Sequence, residues 1–310
     1  MKGRRWLQPL ILLIGMVGLA LAVARSVDDA QEQVLPSIEA IVGASVLAMI
    51  AIVASARTWA ALFNDVLDTK ANRVALNGTF YLSQLTKYLP GGGVVQAASQ
   101  LSLAPSSGVP LRRVALAFPV SAVCAVVAGA TLGSGLVFDG SLPGWTRALV
   151  LLGLLTPIFL HRKLMAAVLG VARRVIKRIP HPDHLPEQRD ILRSYAWAVL
   201  TVGCLAAAYA VLLDSLAAGH SPAMILCAYA LSWVIGFLAI PIPAGVGIRE
   251  ALLVALLPGI GTAPVVAASL ALRLIAIGTE LIALGANKLA ARRHPAPVPP
   301  TSPSETLIVP

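Results

Sequence analysis

The chain has 310 residues, of which 57% are hydrophobic and only 12% charged, with a mean hydropathy of +0.82 and a formal net charge of +10. A soluble domain carries about 25% charged residues, and a chain this poor in them could not cover a water-facing surface. The basic residues fall in short clusters between apolar runs, which argues for membrane topology signals and against nucleic-acid binding.

Apolar runs of about 17–25 residues suit helices that cross a ~30 Å hydrocarbon layer, and the ~10-residue alternation of a β-barrel is missing. The fold class expected is all-α: a polytopic helical membrane protein with about six full spans and two Gly/Pro-broken re-entrant hairpins in inverted orientation. The first span is Trp6–Ala24. Its basic front and Ala22-Val23-Ala24 triplet resemble a secretory signal, but its length and the spans that follow favour a retained helix. An acidic loop with Asp28, Asp29 and Glu32 leads to a second span at Ile38–Ala54. After a mixed loop, Val74–Pro110 is broken at Leu89-Pro90-Gly91-Gly92-Gly93. Spans at Val114–Phe138 and Ala148–Leu160 precede a basic segment, His161–Arg193, and a span at Ser194–Leu213 follows it. Pro222–Pro258 is broken at Pro241-Ile242-Pro243-Ala244-Gly245-Val246-Gly247, and Ala263–Ala286 is the last span. One transmembrane domain over residues 1–291 is therefore expected, with a Pro/Ser/Thr-rich cytoplasmic tail at 292–310 that composition marks as disordered.

Positive charge sets the orientation. Placing the N-terminus, residues 57–73, Arg112-Arg113, residues 161–193 and Lys288–Arg293 on one side gathers 19 of the 24 Lys and Arg residues there. The opposite loops keep only Arg25 and Arg147, while Lys87, Arg249 and Arg273 lie within apolar stretches. Basic loops stay cytoplasmic, so both termini are expected inside a plasma (inner) membrane. Both flanks of Val74–Pro110 are then internal and both flanks of Pro222–Pro258 external. Each stretch must enter and leave by the same face, the pattern of inverted repeats with a site between them. Two ordinary helical hairpins with interfacial loops are the simpler alternative.

Within the first broken stretch Asn77, Tyr81, Gln84 and Tyr88 share a helical face. Lys87 precedes the break, and Gln96, Ser99 and Gln100 follow it. Such a stripe either joins helices by hydrogen bonds or lines a path for a polar headgroup, with Gly91, Gly92 and the following half-helix turned to an anion. Arg249 and Glu250 open a short helix after the second break, and Arg273 and Glu280 lie seven residues apart on the last span. A charge at mid-bilayer costs about 2.5–3.5 kcal/mol on insertion scales, so these four need partners. An internal network pairing Arg249 with Glu280 or Glu250 with Arg273 is one reading; an arginine receiving an anionic substrate group is the other. Residues Arg162–Arg178 alternate Leu164, Val168, Val171, Val175 and Ile176 with basic residues, the pattern of an amphipathic surface helix. Cys124, Cys204 and Cys227 sit in apolar runs without a redox motif, and His181-Pro182-Asp183-His184 is a weak metal pattern.

The runs Lys87-Tyr88-Leu89-Pro90-Gly91-Gly92 and Pro243-Ala244-Gly245-Val246-Gly247-Ile248-Arg249-Glu250 resemble the paired signatures of the lysylphosphatidylglycerol synthase transmembrane-region family, the flippase-like membrane proteins. The resemblance spans nearly the whole chain except the tail. Two positions depart from the pattern: Gln96, Ser99 and Gln100 stand where many relatives carry an arginine, and Ala244 replaces a glycine. The resemblance implies a module that moves a lipid or lipid-linked intermediate between leaflets, without the soluble aminoacyl-transferring domain and hence without synthase activity. The function expected is translocation of an anionic phospholipid or polyprenyl-phosphate-linked intermediate, not catalysis. The alternatives are an ion-coupled transporter of a small solute, with Glu250 or Glu280 carrying protons, and a polyprenyl-phosphate-dependent glycosyltransferase using Asp28 and Asp29. Partners expected are membrane lipids with an anionic headgroup, with a second copy or a lipid-modifying enzyme as further candidates. No cofactor, metal or nucleic acid is expected.

Overall fold

The computed structural model describes residues 35–63, 70–88, 92–103, 109–138, 144–175, 185–239 and 247–293. Among them every regular element is helical: α1 (Ile38–Ala60), α2 (Lys70–Gln84), α3 (Gly92–Leu103), α4 (Leu111–Gly133), α5 (Gly144–Leu151), α6 (Arg162–Val175), α7 (Gln188–Leu216), α8 (Pro222–Leu238), α9 (Ile248–Leu256) and α10 (Thr262–Arg293). Short 3₁₀ segments extend α1 to Phe63, α2 to Tyr88, α4 to Phe138 and α5 to Leu160. The expected span at Trp6–Ala24, the loop with Asp28 and Asp29, His181–His184, most of both breaks and the tail from residue 294 lie outside the described residues. The last helix runs through Arg293, so helix continues two residues past the expected start of the tail.

Among the described residues four helices are long and apolar enough to cross a membrane: Ile38–Phe63, Leu111–Phe138, Gln188–Leu216 and Thr262–Arg293. Leu152–Leu160 and Arg162–Val171 pass the same test of length and composition only when taken together, and they are bent by 97° at His161. The expected span at Ala148–Leu160 is thus part α-helix and part 3₁₀. Pro157 lacks a backbone donor, and Gly153 presses on α4 so closely that a Cβ would stand 2.5 Å from the Ala130 carbonyl oxygen. Eight residues at ~1.5 Å and nine at ~2.0 Å together reach about 30 Å, the thickness of a hydrocarbon layer.

Helix α1 has the reverse of the amphipathicity seen in water. Ser37 caps it, accepting from the Ala40 amide at 3.2 Å. Its inward seam is Ala40, Ala44, Ala48 and Ala51, whereas Val42, Val46, Ile50 and Val53 point outward. Small residues let helix backbones approach where no water drives association, and bulky ones suit lipid. The seam packs along α7, the most extensive helix pair. At one end of this pair the Ser194 hydroxyl donates to the Thr58 carbonyl at 2.8 Å.

Two apolar cores form. One gathers Trp59, Phe63, Phe80, Val120 and Ile191, and receives Met165 and Leu169 from the basic helix α6. The expected amphipathic character of α6 is present, but these two residues face the core, while Leu164 and Val171 stay exposed. The other core gathers Leu136, Tyr209, Leu213, Ile225 and Val265. Helix α10 touches the second core as far as Ile275 and the first from Ala283. Arg273 and Glu280 lie near the meeting of the two cores, about 16 Å and 20 Å from the two ends of the helix at ~1.5 Å per residue.

Candidate functional site

Both broken stretches deliver their charged residues to this middle zone of α10. In the first, α3 returns alongside α2 and its 3₁₀ extension. The Gln100 amide donates to the Ser83 hydroxyl at 3.1 Å, and the Thr86 and Ser99 hydroxyls lie 3.1 Å apart. The turn of 3₁₀ helix at Leu85–Tyr88 presents Lys87 and Tyr88 toward α10. The Lys87 ammonium pairs with Glu280 and also donates to Gln84 Oε1 at 3.3 Å. The Tyr88 hydroxyl donates to the same Glu280 oxygen at 3.4 Å. Glu280 is buried, and its second oxygen, Oε2, has no hydrogen-bond partner among the described residues.

In the second stretch α9 starts at Gly247, whose φ of 85° is the left-handed conformation that glycine adopts without strain. Glu250, three residues on, accepts the Gly247 amide at 2.7 Å through Oε2, the reciprocal half of a capping box. Its Oε1 accepts from the Ser269 hydroxyl at 2.7 Å and from Arg273 Nη2 at 2.8 Å. Glu250 therefore caps α9 through one oxygen and ties it to α10 through the other.

Arg249 is different. It forms no hydrogen bond or ion pair with any described residue, and its Nε is buried without a partner. The guanidinium carbon sits 5.8 Å from the centre of the Trp233 ring, a cation–π contact. Its side chain crosses α8 at Gly236, where a Cβ would meet Arg249 Cγ at 2.6 Å. Tyr229, Arg273, Glu250, Tyr88 and Lys87 all lie within its electrostatic reach. Among the described residues the assembled group holds three cations, Lys87, Arg249 and Arg273, against two carboxylates, Glu250 and Glu280.

The Glu250–Arg273 pairing expected from sequence is present. The alternative pairing of Arg249 with Glu280 is not; Glu280 pairs with Lys87 through Oε1 instead. Gln96 is buried on α3, where its backbone carbonyl accepts from the Ser99 hydroxyl, and among the described residues no hydrogen bond joins its side chain to the cluster. Gly92 begins α3, and Gly91 lies outside the described residues. Three participants escaped the sequence reading: Trp233, Gly236 and Ser269. Ser269 lies four residues before Arg273, and Trp233 three before Gly236, so helical spacing carried a signal for both pairs. Among the described residues no group of three His, Cys, Asp or Glu side chains could hold a metal. The chain matches no family model and no curated protein.

Proposed function

We propose that the protein is a lipid translocase of the flippase-like class, moving an anionic phospholipid or a polyprenyl-phosphate-linked intermediate between leaflets. In this reading 74–110 and 222–258 are hairpins entering from opposite faces, and the ionic cluster is where they meet. The observation that carries the proposal is the imbalance of the cluster: among the described residues Arg249 forms no ion pair and its buried Nε has no partner, in a setting where a stranded charge is costly. A phosphate supplies that counter-charge and matches the planar fork of a guanidinium through two hydrogen bonds. Glu280 would hold Lys87 in place until the headgroup arrives, and the acyl chains would stay in lipid beside the hairpins.

The test is leaflet exchange of a fluorescent phosphatidylglycerol in proteoliposomes, measured on the wild type and on Arg249→Gln. Loss of exchange in a folded Arg249→Gln protein supports the reading; full exchange removes Arg249 from the path. A proton-coupled solute transporter is the second reading, favoured by the unpartnered Oε2 of Glu280. It requires that a pH gradient drive uptake and that Glu280→Gln abolish this drive.

A further inference from the structure

A second basic site lies away from the ionic cluster. A cavity of about 210 Å³, far larger than a single water requires, is lined by Arg57, Arg73 and Arg193 together with Asn77 and Trp197. The three arginines come from three helices: Arg57 from the last turn of α1, Arg73 from the first turn of α2, and Arg193 from the second turn of α7. Arginines that serve only as topology signals need no shared location, yet these converge on one opening. Among the described residues no acidic side chain lines it. Asp190, outside the lining, pairs with Arg193 at 3.6 Å. Trp197 is half-buried beside the arginines, and an indole with one apolar face and one N–H is the side chain that settles at headgroup level. Asn77 also begins the polar face of α2 that runs through Gln84 to Lys87, so the cavity sits at the outer end of the stripe whose inner end is the ionic cluster.

We propose that this cavity is a receiving site for a phosphate group, carried by an anionic lipid headgroup or present as free phosphate in the same aqueous layer. Guanidinium forks from separate helices surround one oxyanion from several directions, and each can donate two hydrogen bonds to it. A bound anion is attracted by each of the cations that line the space. The site lies at the end of the bundle that the charge distribution assigns to the cytoplasm, where anionic lipid is enriched. The proposal does not depend on lipid exchange, since a receiving site binds whether or not the ligand crosses.

Native mass spectrometry of the full chain in a phosphate-free detergent tests it, with dihexanoyl phosphatidylglycerol, dihexanoyl phosphatidylcholine and inorganic phosphate as probes. The wild type is expected to bind the glycerol lipid at least tenfold more tightly than the choline lipid. Arg57→Gln/Arg193→Gln is expected to lose one bound equivalent, and Arg57→Lys/Arg193→Lys to keep it with affinity about threefold weaker. Arg249→Gln should retain this equivalent, which separates the cavity from the deep cluster. If the double Gln variant loses its fold, Arg57→Gln alone, at an exposed residue, reads the same equivalent. Competition by inorganic phosphate assigns the site to the free ion, and its absence assigns it to the lipid headgroup; either supports phosphate recognition. Unchanged stoichiometry and affinity in the folded variants, or equal affinity for the choline lipid, would overturn it.

Discussion

Replacing Lys87 by methionine keeps most of the side chain's length and removes only its charge. What remains is Glu280, whose side chain is 4% exposed, with the Tyr88 hydroxyl at 3.4 Å as its one remaining donor among the described residues. Breaking a buried pair by deleting one partner costs about 3–5 kcal/mol, because the other charge is stranded. Lys87 itself is 29% exposed, which argues for the lower end, about 3 kcal/mol. Arg249→Met strands nothing. It loses a cation–π contact worth about 2 kcal/mol at a desolvated site and relieves a charge that has no ion-pair partner among the described residues and costs about 2.5–3.5 kcal/mol on insertion scales, so its net effect should stay within about 1–2 kcal/mol of the wild type. Unfolding by SDS titration in mixed micelles measures both variants on one scale. Lys87→Met/Glu280→Gln should recover most of the loss, since the double variant buries no carboxylate. Equal destabilisation by the two single methionine variants would refute the assignment of Arg249 as the cluster cation without an ion-pair partner among the described residues. A silent Lys87→Met would refute the dependence of Glu280 on Lys87.

Gly236→Val should displace the Arg249 side chain from its crossing over α8, abolishing lipid exchange while the protein still elutes as a folded particle in size-exclusion chromatography. In a double-mutant cycle, Glu250→Gln and Arg273→Met should show coupling of about 1–3 kcal/mol, the range for directly paired groups; additive effects would mean that the α9–α10 pair contributes nothing. In a cysteine-free background, cysteines at Gln31 and His220 should label from outside and one at Arg173 should not, as the charge distribution requires.

The long apolar helices were legible because a lipid environment permits few alternatives. Ile38, Leu111, Gln188 and Thr262 begin helices within about six residues of the positions that hydropathy indicated. The charged residues of the candidate site were legible as a set, because intramembrane charge is rare enough to mark each one. Their pairing was only half legible. Glu250 and Arg273 could be matched, but which turn of α10 faces Lys87 depends on how far the first hairpin reaches, and spacing along the chain carries no such depth. Gly236 looked like any glycine in an apolar helix until the Arg249 side chain was seen to need its missing Cβ. The arginine cavity was hidden for a related reason: Arg57, Arg73 and Arg193 were each accounted for as a topology signal, and only tertiary packing brings them to one opening.

The 3₁₀ geometry of Leu152–Leu160 makes the thickness of the surrounding bilayer a mechanical variable. A nine-residue segment stretched to ~2.0 Å per residue would shorten by about 4–5 Å on relaxing to α-helix. It joins α6 through a single residue, His161, at a 97° elbow. A contraction in a thinner membrane, or an extension in a thicker one, would therefore pass directly to the elbow. Met165 and Leu169 anchor α6 in the core, so such a length change would pull on the packing around Trp59 and Ile191, and a mismatch in lipid chain length would be felt first at that end of the bundle.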